Sequence, residues 1–352
     1  MLLVKTMKKA NWLLEADIFE DNSDKLVKII KDKGMKVHVL KYVPFDDDLA
    51  KRCLKIYDSG ECVIFYGSLN FGRKLMRGTH WTPGVYLKNK EYECTSYYPI
   101  LQNMLLHYSD YLMLPYSDLV NKKNRIFSEW FGYSHDVDGA KAVFIRPNSG
   151  QKEFTGMIAQ AYGFEDAVKL AGFYNVDPDM LVLVSSVKNI MQEWRFVVVN
   201  GKVISGSLYR DWSKPGKHNK SYSNDYVLSH SHSLWEGCKD PEAWNTAQKC
   251  ADKYSPDTCW TIDVALTDYG TYAILEIGCF SCAGMYGNDL GIVVDAVSEA
   301  AVKEWEEIWG KEVEEIICPN CKGEGYKYFV NQGEPDPDSK CSECKGSGKI
   351  KR

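Results

Sequence analysis

No apolar run in the chain approaches the roughly 18 consecutive residues that a membrane span requires. The short apolar stretch in the opening "MLLVKTMKKANW" falls far below a signal-peptide core. These absences exclude a helical membrane protein and lead to the expectation of a cytoplasmic one, in the host cytoplasm if the source is viral. A surplus of positive charge is also missing. The net charge is −5, which excludes a globally basic nucleic-acid binder, so nucleic acid is not an expected partner. In a reducing compartment the 12 cysteines are thiols or metal ligands, not disulfides. Cys53, Cys62, Cys94, Cys238, Cys250 and Cys259 are scattered and read as small buried hydrophobes.

What is present is ordinary in bulk: 352 residues, 45% hydrophobic and 26% charged, enough for two domains or for one large one with an appendage. "NWLLEADIF", "MKVHVLKYV" and "CVIFYGS" read as strands alternating with the helices "SDKLVKIIKDKG" and "LAKRCLKIYDSG", a small open α/β unit. "AVFIRP" and "MLVLVSS" read as further strands. "EWRFVVVNGKVISGSLYR" reads as a hairpin turning at Asn200-Gly201. Asp211–Ser233 is polar and reads as a long lid or acceptor loop with His218, His230 and His232. "IVVDAVSEAAVKEWEEIWGKEVEEII" reads as one long amphipathic helix, with Trp305 and Trp309 in the core. Tyr97, Tyr98, Tyr108, Tyr111 and Tyr116 read as packing residues.

Near the end, "CPNCKGEG" recurs as "CSECKGSG". Two Cys-x-x-Cys turns make a closed thiolate site for zinc, with Cys318, Cys321, Cys341 and Cys344 as ligands. A segment this poor in apolar residues has no core of its own, so a metal staple is the physical means of holding it. The repeats resemble half of the cysteine-rich zinc region of J-domain chaperones. Only two of its four repeats are present, so one zinc is implied; nothing resembles the J-domain itself, so chaperone activity is not implied. With its zinc the tail is near neutral, so docking to a protein partner or a structural role is expected.

"WTIDVALTDYGTYAILEIG", Trp260–Gly278, reads as strand, turn and strand, turning at Thr267–Gly270. Thr261, Asp263 and Ala265 share one face. Registers pairing Leu266 with Thr271, or Thr267 with Tyr272, bring Asp263 and Glu276 to that same face. The back then carries Ile262, Val264, Leu266, Ala273, Leu275 and Ile277. Two like charges about 5 Å apart repel by roughly 3 kcal/mol at an effective dielectric near 20. A shared proton, a basic side chain or a divalent cation would offset this, and oxygen ligands on adjacent strands suit magnesium. The alternative is a surface hairpin with both acids in water.

Upstream, "FIRPNSGQKEFTG" sets Arg146 at a strand end and Lys152 beyond a flexible loop, while "QEWRFVV" puts Glu193 and Arg195 on one strand face. The ordered set (Arg-Pro, a loop with Lys, Glu-Trp-Arg, Asp, then Glu thirteen residues on, then "AGMYGND") resembles the ATP-grasp superfamily. It is most similar to a variant branch common in phage genomes. The resemblance covers about Ala142 to Asp295. It implies a mixed α/β and α+β fold in which two antiparallel-sheet subdomains clamp ATP behind a small N-terminal α/β unit. Residues 1–115 would be that unit, 116–190 the lid subdomain, 191–315 the catalytic subdomain with its closing helix, and 316–352 the zinc-stapled module.

By position, the resemblance implies that Asp263 and Glu276 hold Mg²⁺. Arg146 and Lys152 would contact phosphates, Ser185 and Ser186 would lie at the adenine hinge, and Glu193 near the ribose. Arg195 would point to the γ-phosphate and the acceptor, making Arg195 and Lys152 the catalytic pair. The superfamily reads Glu-x-Asn where this chain reads Glu276-Ile277-Gly278, which removes one oxygen ligand; Asn288 is near in sequence. Cys279 and Cys282 flank this place and read as packing residues. The implied activity is an ATP-dependent carboxylate–amine ligase working through an acyl-phosphate, with ATP, Mg²⁺ and Zn²⁺ bound. A carboxylate, an amine and a protein or peptide brought by the tail would be its partners. An ATP-dependent phosphotransferase and a non-catalytic nucleotide-binding adaptor are the alternatives.

Overall fold

The computed structural model describes residues 9–18, 23–44, 46, 48–135, 139–150, 152–172, 176–212, 240–309, 315–317, 341, 344, 347 and 349–351. The chain divides into two compact units, Met1–Glu304 and Trp305–Arg352.

The first unit begins with a parallel sheet. Its strands are β1 (Asn11–Glu15), β2 (Val37–Leu40), β3 (Cys62–Tyr66) and β4 (Thr82–Gly84), in the order β2-β1-β3-β4. β1 and β3, the two central strands, are buried along their whole length, as in a parallel sheet covered on both faces, the polar ends Asn11 and Glu15 of β1 included. Helices α1 (Ser23–Asp32), α2 (Leu49–Leu54) and α3 (Leu69–Gly78) connect these strands. α1 stops at Gly34, whose φ of +71° suits the left-handed residue that follows a helix. Ser68 caps α3 by accepting the Phe71 N–H.

Next come α4 (Cys94–Leu101) and a second sheet. It contains β5 (Tyr111–Pro115), β6 (Ala142–Pro147), β7 (Met157–Gln160) and β8 (Leu181–Ser186), antiparallel in the order β5-β8-β6-β7. α5 (Asp118–Asn121), α6 (Lys123–Arg125) and α7 (Phe164–Ala171) accompany it. Val143, Ile145, Val182 and Val184 pack with Phe164 and Val168 on one face. Phe144, Arg146, Leu183 and Ser185 are paired residues on the opposite face. This sheet starts at Tyr111, inside the stretch read from sequence as the N-terminal unit.

The third sheet carries β9 (Ile190–Val199), β10 (Lys202–Asp211), β11 (Cys259–Thr267) and β12 (Tyr272–Cys279), in the order β10-β9-β11-β12. β9 and β10 turn at Asn200 and Gly201, both at positive φ (49° and 73°), as a type I′ hairpin requires. α8 (Pro241–Lys253), capped by Asp240, packs on its core face through Ala243, Ala247 and Cys250. α9 (Leu290–Trp309) follows.

The sequence reading of a helix running to Ile317 is corrected. α9 ends at Trp309, and β13 (Glu315–Ile317) pairs antiparallel with β14 (Lys349–Lys351) in the second unit. The β-branched pair Ile316-Ile317 suits a strand better than a helix end. Trp309 is half exposed, not core. Among the described cysteines, Cys53, Cys62, Cys94, Cys250 and Cys259 are buried thiols as read; Cys238 lies outside the described residues. No helix among the described residues is long and apolar enough to cross a membrane.

Candidate functional site

The β11–β12 hairpin places its two acids by means of an irregularity. Near the turn Leu266 pairs with Tyr272 and Val264 with Ile274, a register that neither expected pairing has. A bulge then intervenes, and Asp263 faces Glu276. Without it Asp263 would face Leu275, and Glu276 would lie on the other side of the sheet. The same bulge corrects the expected back face. Ile274 and Ile277 join Ile262 and Val264 in the core, whereas Ala273 and Leu275 lie with Ala265 and Leu106 on the acid face.

On its other side Asp263 neighbours Arg195 of β9. Arg195 grips it bidentately: Nε donates to Oδ1 at 2.8 Å and Nη2 to Oδ2 at 2.7 Å. Nη1 donates to the Gly284 carbonyl at 3.3 Å. Tyr209 O–H donates to Asp263 Oδ2 at 3.2 Å, and its ring stacks on Tyr286 at 4.6 Å. The Arg195 guanidinium lies over both rings, at 5.5 Å and 5.0 Å. The donors of Arg195 are therefore directed at Asp263 and Gly284.

Glu276 is met from the second sheet: Arg146 Nη2 lies 3.1 Å from its Oε2. Burial pushes the Glu276 carboxyl up, but Lys152, Arg146, Arg195 and Arg210 together hold it below the usual carboxylate range. Two arginines thus offset the mutual repulsion of the acids in this structure. Lys152 follows the loop after Arg146 at φ +52°, with its side chain exposed. Asn148 ties the loop down, accepting the Thr95 N–H on Oδ1 and the Cys94 N–H on its carbonyl.

Glu193 is buried, with Arg210 at 3.5 Å. Burial outweighs that cation and pushes its carboxyl up to about 7. Ser185 and Ser186 are the last paired residues of β8, so Val187–Asn189 form the turn into β9. Ser185 Oγ meets His107 Nδ1 at 2.9 Å, and Lys188 bridges Ser186 and Asp110. His107 stacks on Phe144 at 5.0 Å. Burial, then Arg146 and Lys188, lower the His107 imidazole to about 3, so it is neutral at pH 7. A cavity of about 350 Å³ opens at this turn, lined by Asp110, Tyr133, Ser186, Lys188 and Tyr269 among others. His107, Asp110, Phe144, Lys188, Tyr209, Arg210 and Tyr286 were not singled out from sequence. Arg210, a charge within a strand of alternating residues, is the one with a local signal.

The residues present fit a magnesium ion. Hard carboxylate oxygens suit it; Glu276 meets Arg146 through Oε2, and Asp263 Oδ1 takes a single donor and keeps a lone pair. Beside them Gly278 and Thr261 share one tight space: a Cβ at 278 would meet Thr261 Oγ1 at 3.1 Å. Among the described residues no third His, Cys, Asp or Glu completes a metal cluster. Of the zinc ligands read from sequence, Cys341 and Cys344 are buried, while Cys318 and Cys321 lie outside the described residues. The three loop histidines also lie outside them. Cys279 and Cys282 are free thiols, and a hydrogen bond from Cys282 lowers the Cys279 thiol while the Cys282 thiol is raised.

Residues 124–296 match a family model for an ATP-grasp domain, the second family of its clade. D-cycloserine synthetase DcsG superposes with a TM-score of 0.54 at 12% identity, covering 83% of this chain and 100% of its own. D-alanine–D-alanine ligase from Bacillus anthracis gives 0.53 at 12% identity, covering 85% and 99%. N5-carboxyaminoimidazole synthetase from Staphylococcus aureus gives 0.51 at 10% identity, covering 84% and 78%. At such identities the likeness is one of fold. No curated protein sequence matches the chain.

Proposed function

We propose, from the premise that residues 124–296 are an ATP-grasp domain, that this protein is an ATP-dependent carboxylate–amine ligase. The observation that carries the reading is the convergence of charge from two sheets. Glu276 lies between Asp263 on its own sheet and Arg146, 3.1 Å away on the other. That pattern suits a nucleotide's phosphates held between cations and metal-bearing acids.

In this reading a substrate carboxylate oxygen bonds to the γ-phosphorus as the bond to ADP breaks. An amine nitrogen then bonds to the acyl carbon, phosphate leaves, and the amine gives up a proton to solvent. Arg146 and Lys152 hold the phosphoryl oxygens. Asp263 and Glu276 hold Mg²⁺, which when bound neutralises phosphate charge. Arg195, fixed by Tyr209 and Tyr286, keeps Asp263 oriented and stands by the acceptor. The apolar patch of Leu106, Ala265, Ala273 and Leu275, with Phe144 and neutral His107, offers an apolar bed for adenine. Glu193 and the turn after Ser185 and Ser186 lie at the ribose and hinge end. The tail holds one zinc through Cys318, Cys321, Cys341 and Cys344; the β13–β14 pairing, which joins the chain on either side of both repeats, supports this. A protein partner docked there is a candidate substrate.

Incubating the protein with ATP, Mg²⁺, candidate carboxylates and hydroxylamine tests the reading. Hydroxamate with stoichiometric ADP is expected. A stable phosphorylated product would make it a phosphotransferase, and nucleotide binding without turnover across the panel would make it an adaptor.

A further inference from the structure

The position opposite Thr261 bears on which group replaces the ligand missing at Gly278. Thr261 and Gly278 are directly paired across β11 and β12, on the face that carries Asp263 and Glu276. Thr261 is 2% exposed, and its hydroxyl donates to the Gly278 carbonyl at 3.2 Å. Its single proton is thereby committed, and its oxygen is presented as an acceptor. Among the described residues, its chain neighbours aside, that oxygen is the one heavy atom within 4 Å of where a Gly278 Cβ would stand, at 3.1 Å. Four positions on two adjacent strands thus form a square: two carboxylates, one hydroxyl oxygen and one vacated corner. A side chain at 278 and the Thr261 methyl and hydroxyl compete for that corner.

Asn288 is the competing oxygen. Its Oδ1 is buried without a hydrogen-bond partner among the described residues. Its amide, however, donates to the Arg195 and Met285 carbonyls, and its neighbours Gly287 and Asp289 donate to Ser207 and Ser205. That loop therefore lies over β9 and β10. β9 is two strands from β12, or roughly 9–10 Å.

We infer that Thr261 supplies the oxygen that position 278 lacks, so that Gly278 and Thr261 are an exchanged pair preserving a second cation site. This rests on the reading of Asp263 and Glu276 as cation ligands. The hydroxyl oxygen, on the face shared with both acids, holds the cation or its water, making Thr261 a positioning or ligating residue for the phosphates.

The test is Mn²⁺ binding to the full chain in the presence of adenylyl imidodiphosphate, followed by electron paramagnetic resonance. Thr261→Val should weaken the second Mn²⁺ by at least about tenfold, and Thr261→Ser should retain it. Gly278→Asn alone should be poorly accommodated, whereas Thr261→Ala with Gly278→Asn should restore the second ion. Unchanged Mn²⁺ binding in Thr261→Val, or loss in Asn288→Ala with Thr261→Val unaffected, overturns the inference alone. Glu276→Gln separates it from the reading beneath. If that variant binds Mn²⁺ like the parent, or the parent binds none with nucleotide, the cation reading fails and the inference falls with it.

Discussion

Arg195 and Asp263 are each less than a tenth exposed and share two hydrogen bonds. Removing one partner of such a pair strands a buried charge, at a cost of about 3–5 kcal/mol. Arg195→Met should therefore lower stability by that amount in urea titration, and adding Asp263→Asn should recover a large part of it. An Arg195→Met protein as stable as the parent would mean that water reaches Asp263. Glu193 makes the opposite kind of claim. Its carboxyl is raised from 4.5 to about 7 by burial, so the fold binds its proton more tightly than the unfolded chain does. Its stabilising contribution is full below pH 4.5 and is lost as pH rises through 7, on the order of 3 kcal/mol. Glu193→Gln should match the parent near pH 4.5 and exceed its thermal midpoint increasingly towards pH 7.5; parallel profiles would refute the burial argument. The acids and Arg146 were legible in the sequence because alternation assigns a strand residue to a face. Which arginine pairs with which acid was not, because a sheet partner lies tens of residues away. Thr261 and His107 carry no local signal at all; their meaning comes from Gly278 and Ser185.

At the scale of elements, period and punctuation predicted most strands and helices, and the exceptions have physical causes. A bulge inserts one residue without any composition cue, so the β11–β12 register near the turn and the faces of Ala273 and Leu275 could not be read from alternation. Helical periodicity likewise continued past Trp309, where pairing with Lys349–Lys351 claims Glu315–Ile317 for a strand. The β9–β10 turn was legible because its chemistry is local. Gly201 sits at φ +73°, and among the described residues, its chain neighbours aside, a Cβ there would meet nothing within 4 Å. Gly201→Ala therefore isolates backbone strain from packing and should cost about 1–2 kcal/mol, read as a lowered thermal midpoint with nucleotide affinity intact. A neutral substitution would mean that the turn relaxes away from its two left-handed residues.

For the molecule as a whole, the division after Glu304 predicts separable behaviour. The proposed nucleotide site uses only residues before that point, from two sheets with hydrophobic clusters of their own. The tail has no such cluster among its described residues, only the β13–β14 pairing and the buried Cys341 and Cys344. On the proposed zinc reading such a unit would depend on its metal for folding, because the binding free energy of the metal would be its folding free energy. Cys341→Ser should thus release one zinc per chain and expose the tail to protease. Adenylyl imidodiphosphate affinity, measured by calorimetry on the same full-length variant, should not change. Zinc retained at full stoichiometry would remove Cys341 from the ligand set. A parallel loss of nucleotide affinity would mean that the tail contributes to the ATP site, and the two units would have to be treated as one functional body.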